Sequence, residues 1–266
     1  ALTLVWVLRS EDRSLRFDAE VISNFNGFLV RWAFFAVLFI GLADMVVSFL
    51  RVEGLLEAVV GKDLTRDLGR SAFRGPYIHI PMMLVGLLVA TRIRTLGFHW
   101  LALLIVVAEL LIVITRFVFS YEQAYMGDVV RFWYAALFLF ASAHTLVEEG
   151  HVRVDVLYAG FKRRRKAFFD TIGCFLLGLP ICWVILMHGM GGRGNSINSP
   201  LLSFEVSQSG YGMYVKYLMA GFLIIFAITM MIQFISYLLF NIGQLCDQSP
   251  GEEHETYQQL IAASRV

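Results

Sequence analysis

Apolar stretches the length of membrane-crossing helices recur along this chain, at about 27–50, 77–90, 99–119, 129–146, 167–188 and 214–240. A helix rises 1.5 Å per residue, so about 20 apolar residues cross a ~30 Å hydrocarbon core. Inside hydrocarbon each backbone N–H and C=O must be bonded within the protein, which favours helices for such stretches. The expectation is an all-α, polytopic membrane protein with about six transmembrane helices. Composition agrees: 16% of residues are charged, against about 25% in soluble domains, and mean hydropathy is +0.68.

Charge sets the orientation. Lys162, Arg163, Arg164, Arg165 and Lys166 form a run that resists translocation and suits anionic headgroups, so their loop is predicted to be cytoplasmic. With six spans, both termini are then cytoplasmic, as is the turn bearing Arg92 and Arg94. Residues 51–74 alternate apolar and charged positions and read as an interfacial amphipathic helix. In this topology that segment faces outward although it carries Arg51, Lys62, Arg66, Arg70 and Arg74, against the positive-inside bias. The second span is short and opens with Pro81 in its first turn; Pro180 should kink the fifth. Residues 9–20 read as a polar surface segment and 189–212 as an irregular loop. The net charge of +1 gives no basic surface for nucleic acid. Cys174, Cys182 and Cys246 form no C-x-x-C pair and read as packing residues, with no metal site.

Polar groups inside spans are costly and normally face protein. Asp44 and Arg116 fall at similar outer depth, so a pair between them is expected to tie the first two spans to the rest. Glu109 lies near mid-bilayer and needs a hydrogen bond within the chain or from a partner.

One local pattern goes further. Ile114-Thr115-Arg116-Phe117 closes a span, and Arg131-Phe132-Trp133-Tyr134-Ala135-Ala136 opens the next. Ala141-Ser142-Ala143-His144-Thr145-Leu146 then leads to Gly150-His151-Val152-Arg153-Val154-Asp155, the basic run and Leu179-Pro180. Over about 98–243 the chain resembles the small membrane subunit (the Q or DctQ type) of tripartite ATP-independent periplasmic (TRAP) transporters. Ser209-Gly210-Tyr211-Gly212 stands where that family often has Gly-Leu-Pro. The resemblance implies a four-helix core at 98–243, preceded by an extension at 1–97 and followed by a polar tail at 244–266. It implies a non-catalytic permease subunit in a bacterial or archaeal cytoplasmic membrane. Its partners would be a large multi-span subunit that carries sodium coupling, a periplasmic solute-binding protein and lipids, with no cofactor on this chain. Gly150, His151, Arg153 and Asp155 would fix the loop or contact the large subunit. The rival reading is an anchor of a respiratory complex, with haem held by pairs among His79, His99, His144 and His188.

Overall fold

The computed structural model describes residues 14–95, 98–121, 124–147, 158, 160–206 and 212–246. Among these residues every regular element is helical, and six helices are long and apolar enough to cross a membrane.

Helix α1 (Leu15–Val52) starts where Ser14 accepts the Phe17 N–H at 3.2 Å. Asp18 in its first turn and Arg51 in its last both suit the helix dipole. Its 38 residues extend ~57 Å, nearly twice the hydrocarbon thickness. The sequence suggests a surface segment at 9–20 apart from a span at 27–50. The structure instead runs 15–52 as one helix, since neither Gly nor Pro interrupts 15–26.

The amphipathic segment also differs from expectation. It forms two short helices, α2 (Leu56–Val60) and α3 (Lys62–Leu68), hinged at Gly61, whose φ of 83° suits glycine. Its last residues, Ser71 to Arg74, leave the surface and begin the second span, α4 (Ser71–Arg92). Pro81 therefore lies within α4 rather than at its start. A wide turn at Gly75–His79 makes room for it: the Ile80 N–H reaches back five residues to the Gly75 carbonyl. An ordinary turn at this point would set the proline ring against the preceding turn's carbonyl.

Helices α5 (Phe98–Phe119) and α6 (Ala124–Val147) supply spans three and four. Span five, α7 (Arg163–Met190), repeats the device of α4. Leu179 N–H bonds to the Cys174 carbonyl across the wide turn Cys174–Gly178, and Pro180 follows. The loop after it is more ordered than its Gly, Ser and Asn content suggests. Asn195 and Asn198 each donate a side-chain N–H at 2.7 Å, to the His188 and Met190 carbonyls that the end of α7 leaves unpaired. A short helix, α8 (Asn198–Ser203), precedes the last span, α9 (Lys216–Leu245).

Helix α1 is the hub. It packs against α4, α6 and α9; α6 and α9 pack on each other; α5 leans on α6 and α7 on α9. Half (50%) of the most apolar window of α1 is buried, against 11% for α5. Small residues permit the close approaches. A Cβ on Gly86 would lie 2.7 Å from the Ala36 backbone nitrogen, and one on Gly41 would strike the Trp133 indole. Rings fill the centre, with Phe132 and Phe140 at 5.1 and 5.0 Å from Phe222. Helix α1, before residue 97, thus packs on helices that follow it.

The two ends of the bundle differ. At one, Ser236 Oγ donates to the Ala19 carbonyl at 2.6 Å, and Asn26 Nδ2 donates to Gln233 Oε1 at 3.1 Å. The start of α1 and the finish of α9 thus lie together. At the opposite end, Asp44 meets Tyr214.

Candidate functional site

That opposite end holds a closed polar cluster built from α1, α3, α4 and the entry to α9. Asp44 and Arg74 are both fully buried, and Arg74 Nη1 donates to Asp44 Oδ1 at 2.7 Å. The same nitrogen lies 3.1 Å from Ser48 Oγ, and Arg74 Nε donates to the Leu68 carbonyl at 2.6 Å. The guanidinium lies over the Tyr214 ring, 4.3 Å from its centroid. The other carboxylate oxygen of Asp44 accepts the Tyr214 backbone N–H at 2.8 Å.

His79 extends the cluster. Its Nε2 is 3.4 Å from Asp44 Oδ1 and its Nδ1 is 2.6 Å from the Tyr217 hydroxyl. A carboxylate only accepts, so Nε2 carries a proton toward Asp44, and Nδ1 shares the second bond with the Tyr217 hydroxyl. Arg74 and His79 are five residues apart, and in a regular α-helix they would point to different sides. The wide turn closes over five residues and brings both onto Asp44. Around this centre, Arg51 Nη1 donates to the Tyr214 hydroxyl, which donates to the Gly69 carbonyl at 3.1 Å.

This arrangement consists of contacts between parts of the same chain. It joins one carboxylate to one guanidinium with almost all valences met, and it fastens the α1–α4 pair to α9. A fully buried pair attracts strongly only when its hydrogen bonds are complete, because two charges have left water. The expected partner of Asp44 is thereby corrected: its carboxylate goes to Arg74, His79 and Tyr214, and Arg116 stands exposed on α5. Grouping Arg74 with the surface segment hid the pairing. The legible signal was the need of Asp44 for a cation at its own depth, which Arg74 met as well as Arg116 did.

The cations of 51–74 find local partners. Arg74 is inside the cluster and Arg51 serves Tyr214. Lys62 lies 3.5 Å from Glu57, and Arg66 and Arg70 lie 4.0 and 3.7 Å from Asp67. Nearby, Asp128 accepts the Met213 N–H at 3.1 Å, a second tie from α6 to the entry of α9. Tyr121, between α5 and α6, donates to the Glu53 carboxylate, which holds its phenol up at about 12.

The other expected site residues are dispersed. Gly150, His151, Arg153 and Asp155 lie outside the described residues. Tyr158, at the far side of that stretch, donates to Asp170 at 2.6 Å. Lys162 caps α7, with Arg163, Arg164, Arg165 and Lys166 in its first turn. The first four are exposed, and Lys166 lies over the Tyr158 ring at 5.0 Å. Glu109 is exposed at the middle of α5. Cys174 and Cys182 are buried free thiols. His79, one of the histidines considered for haem, has both ring nitrogens hydrogen-bonded and none left for iron.

The six helices and the buried tie between them define a polytopic helical membrane protein. Residues 98–241 match the family described as tripartite ATP-independent periplasmic transporters, DctQ component. That match covers more than half of the sequence, and the chain belongs to this family, the small membrane component of TRAP transporters. No curated protein matches the chain, and no solved structure does.

Proposed function

We propose that this chain is the non-catalytic small permease subunit of a sodium-coupled, binding-protein-dependent importer of an organic acid or similar small solute. Its work is mechanical. It widens and stiffens the membrane scaffold of a large transport subunit, which carries solute and sodium. The observation that carries this reading is the family match over 98–241. It is supported by a bundle whose buried Asp44 cluster is bonded to other parts of the same chain.

Both termini lie in the cytoplasm of a bacterial or archaeal cell in this reading, and the Asp44 end faces the periplasmic binding protein. The basic run supports that orientation. Lys162 to Lys166 crowd the positive end of the α7 dipole, an arrangement that anionic headgroups relieve. Gly150, His151, Arg153 and Asp155 shape the adjoining cytoplasmic loop or touch the large subunit. The chain itself holds no cofactor.

The test is a mild-detergent purification of the tagged chain from its native membrane, with mass spectrometry of what accompanies it. Recovery of a larger multi-span protein in fixed stoichiometry is expected, and reconstituting the pair with its binding protein should give sodium-dependent uptake. Recovery of a redox enzyme with haem absorbance instead would refute the reading.

A further inference from the structure

Asp44 and Glu109 meet the same physical difficulty in opposite ways. Asp44 is enclosed and bonded on both oxygens. Glu109 is exposed, and among the described residues it takes no hydrogen bond and no ion pair. It lies at the centre of α5, roughly 15 Å from either end by helical rise. That is the middle of the hydrocarbon, where a carboxyl facing lipid is among the costliest placements a span can make.

The surrounding face is apolar and open. Val106, Leu110, Val113 and Phe117 share the side of α5 that carries Glu109, and all are exposed. Helix α5 leans mainly on α6, and its Leu101, Leu104 and Ile105 pack into the core. The other outlying span, α7, also exposes apolar side chains around its middle, Phe175, Leu176, Leu177 and Ile181 among them, but no charged one lies there. Lipid suits the face of α7. The face of α5 calls for a partner that supplies a donor.

We propose that the Glu109 face of α5 is the seam against a membrane-spanning helix of the large transport subunit, and that this helix presents a cation or hydrogen-bond donor to Glu109 at mid-bilayer depth. The proposal rests on the function proposed above and names the face through which it is exercised. The seam combines one buried polar contact with ordinary side-chain packing, the pattern by which helices associate in lipid.

The test uses the full chain in its native membrane. A photoreactive residue replaces Val106, Val113 or, as a comparison, Leu177. Irradiation is expected to join positions 106 and 113 to the large multi-span protein and to leave 177 unjoined to it. In detergent, Glu109→Leu should lower recovery of that protein by roughly tenfold, while Glu109→Gln, still able to hydrogen-bond, retains most of it. Thermal unfolding of the isolated variants should match the parent, since Glu109 has no bond among the described residues. If the parent co-purifies with the large subunit but adducts arise at 177, or at 106 and 113 only with lipid or a second copy, the seam is wrong and the function stands. If no larger multi-span protein accompanies the parent, both fall.

Discussion

Asp44 and Arg74 form a pair in which each partner makes the other tolerable. Replacing Asp44 by Asn leaves a buried guanidinium without its counter-charge, and a loss of about 3–5 kcal/mol is expected. The loss would appear as a lower midpoint and earlier aggregation in thermal unfolding of the purified protein. The double change Asp44→Leu with Arg74→Met removes both charges, and it should recover a large part of the loss. Recovery of nothing would mean that the hydrogen bonds to Ser48, Leu68 and Tyr214, rather than the charge pair, hold this end together. The sequence showed that Asp44 needed a cation. It did not show which, because Arg74 stands in a run of polar residues whose alternation suits a surface helix. Only the wide turn at Gly75–His79 explains how Arg74 and His79 reach one carboxylate. That turn leaves little periodic trace in so short a stretch.

The spans themselves were the most legible elements, because their length and apolarity are written in each stretch separately. The ends were less so. Helix α1 continues about three turns before the expected boundary, and α4 starts one to two turns before it. In both cases polar residues that resemble a loop are held in helix by what they contact, with Ala19 receiving Ser236 and Arg74 reaching Asp44. Close helix contacts were not legible, since they depend on which helices become neighbours. Gly86 is the sharpest example. Gly86→Leu would drive a side chain into the Ala36 backbone and separate α4 from α1. We expect a lower melting temperature, equivalent to about 1–3 kcal/mol of overpacking, while Gly127→Ala on α6, with open space around it, serves as a mild control.

At the level of the molecule, the family match begins at residue 98, yet the helix that the others surround ends at residue 52. A chain lacking 1–97 would keep the matched residues and lose the hub of the bundle. It should fail to give a single symmetrical peak in size-exclusion chromatography. A stable, monodisperse 98–266 fragment would show that α5, α6, α7 and α9 close on one another without α1. The sequence could mark the four matched spans as a unit, because that unit is defined by likeness in sequence. It could not reveal that the preceding span lies among them, since that is settled by contacts such as Ala19 with Ser236, separated by 217 positions. The place of α1 also bears on how the protein is made. Of the six spans it is the earliest to be synthesised, and its acid at position 44 enters the bilayer before most of its neighbours exist. Arg74 follows only 30 residues later, so Asp44 can meet its counter-charge and α1 can settle on α4 while translation continues. The Tyr214 N–H arrives 170 residues after Asp44, so one oxygen of that carboxylate waits for its donor until α9, the last of the six spans, has been made.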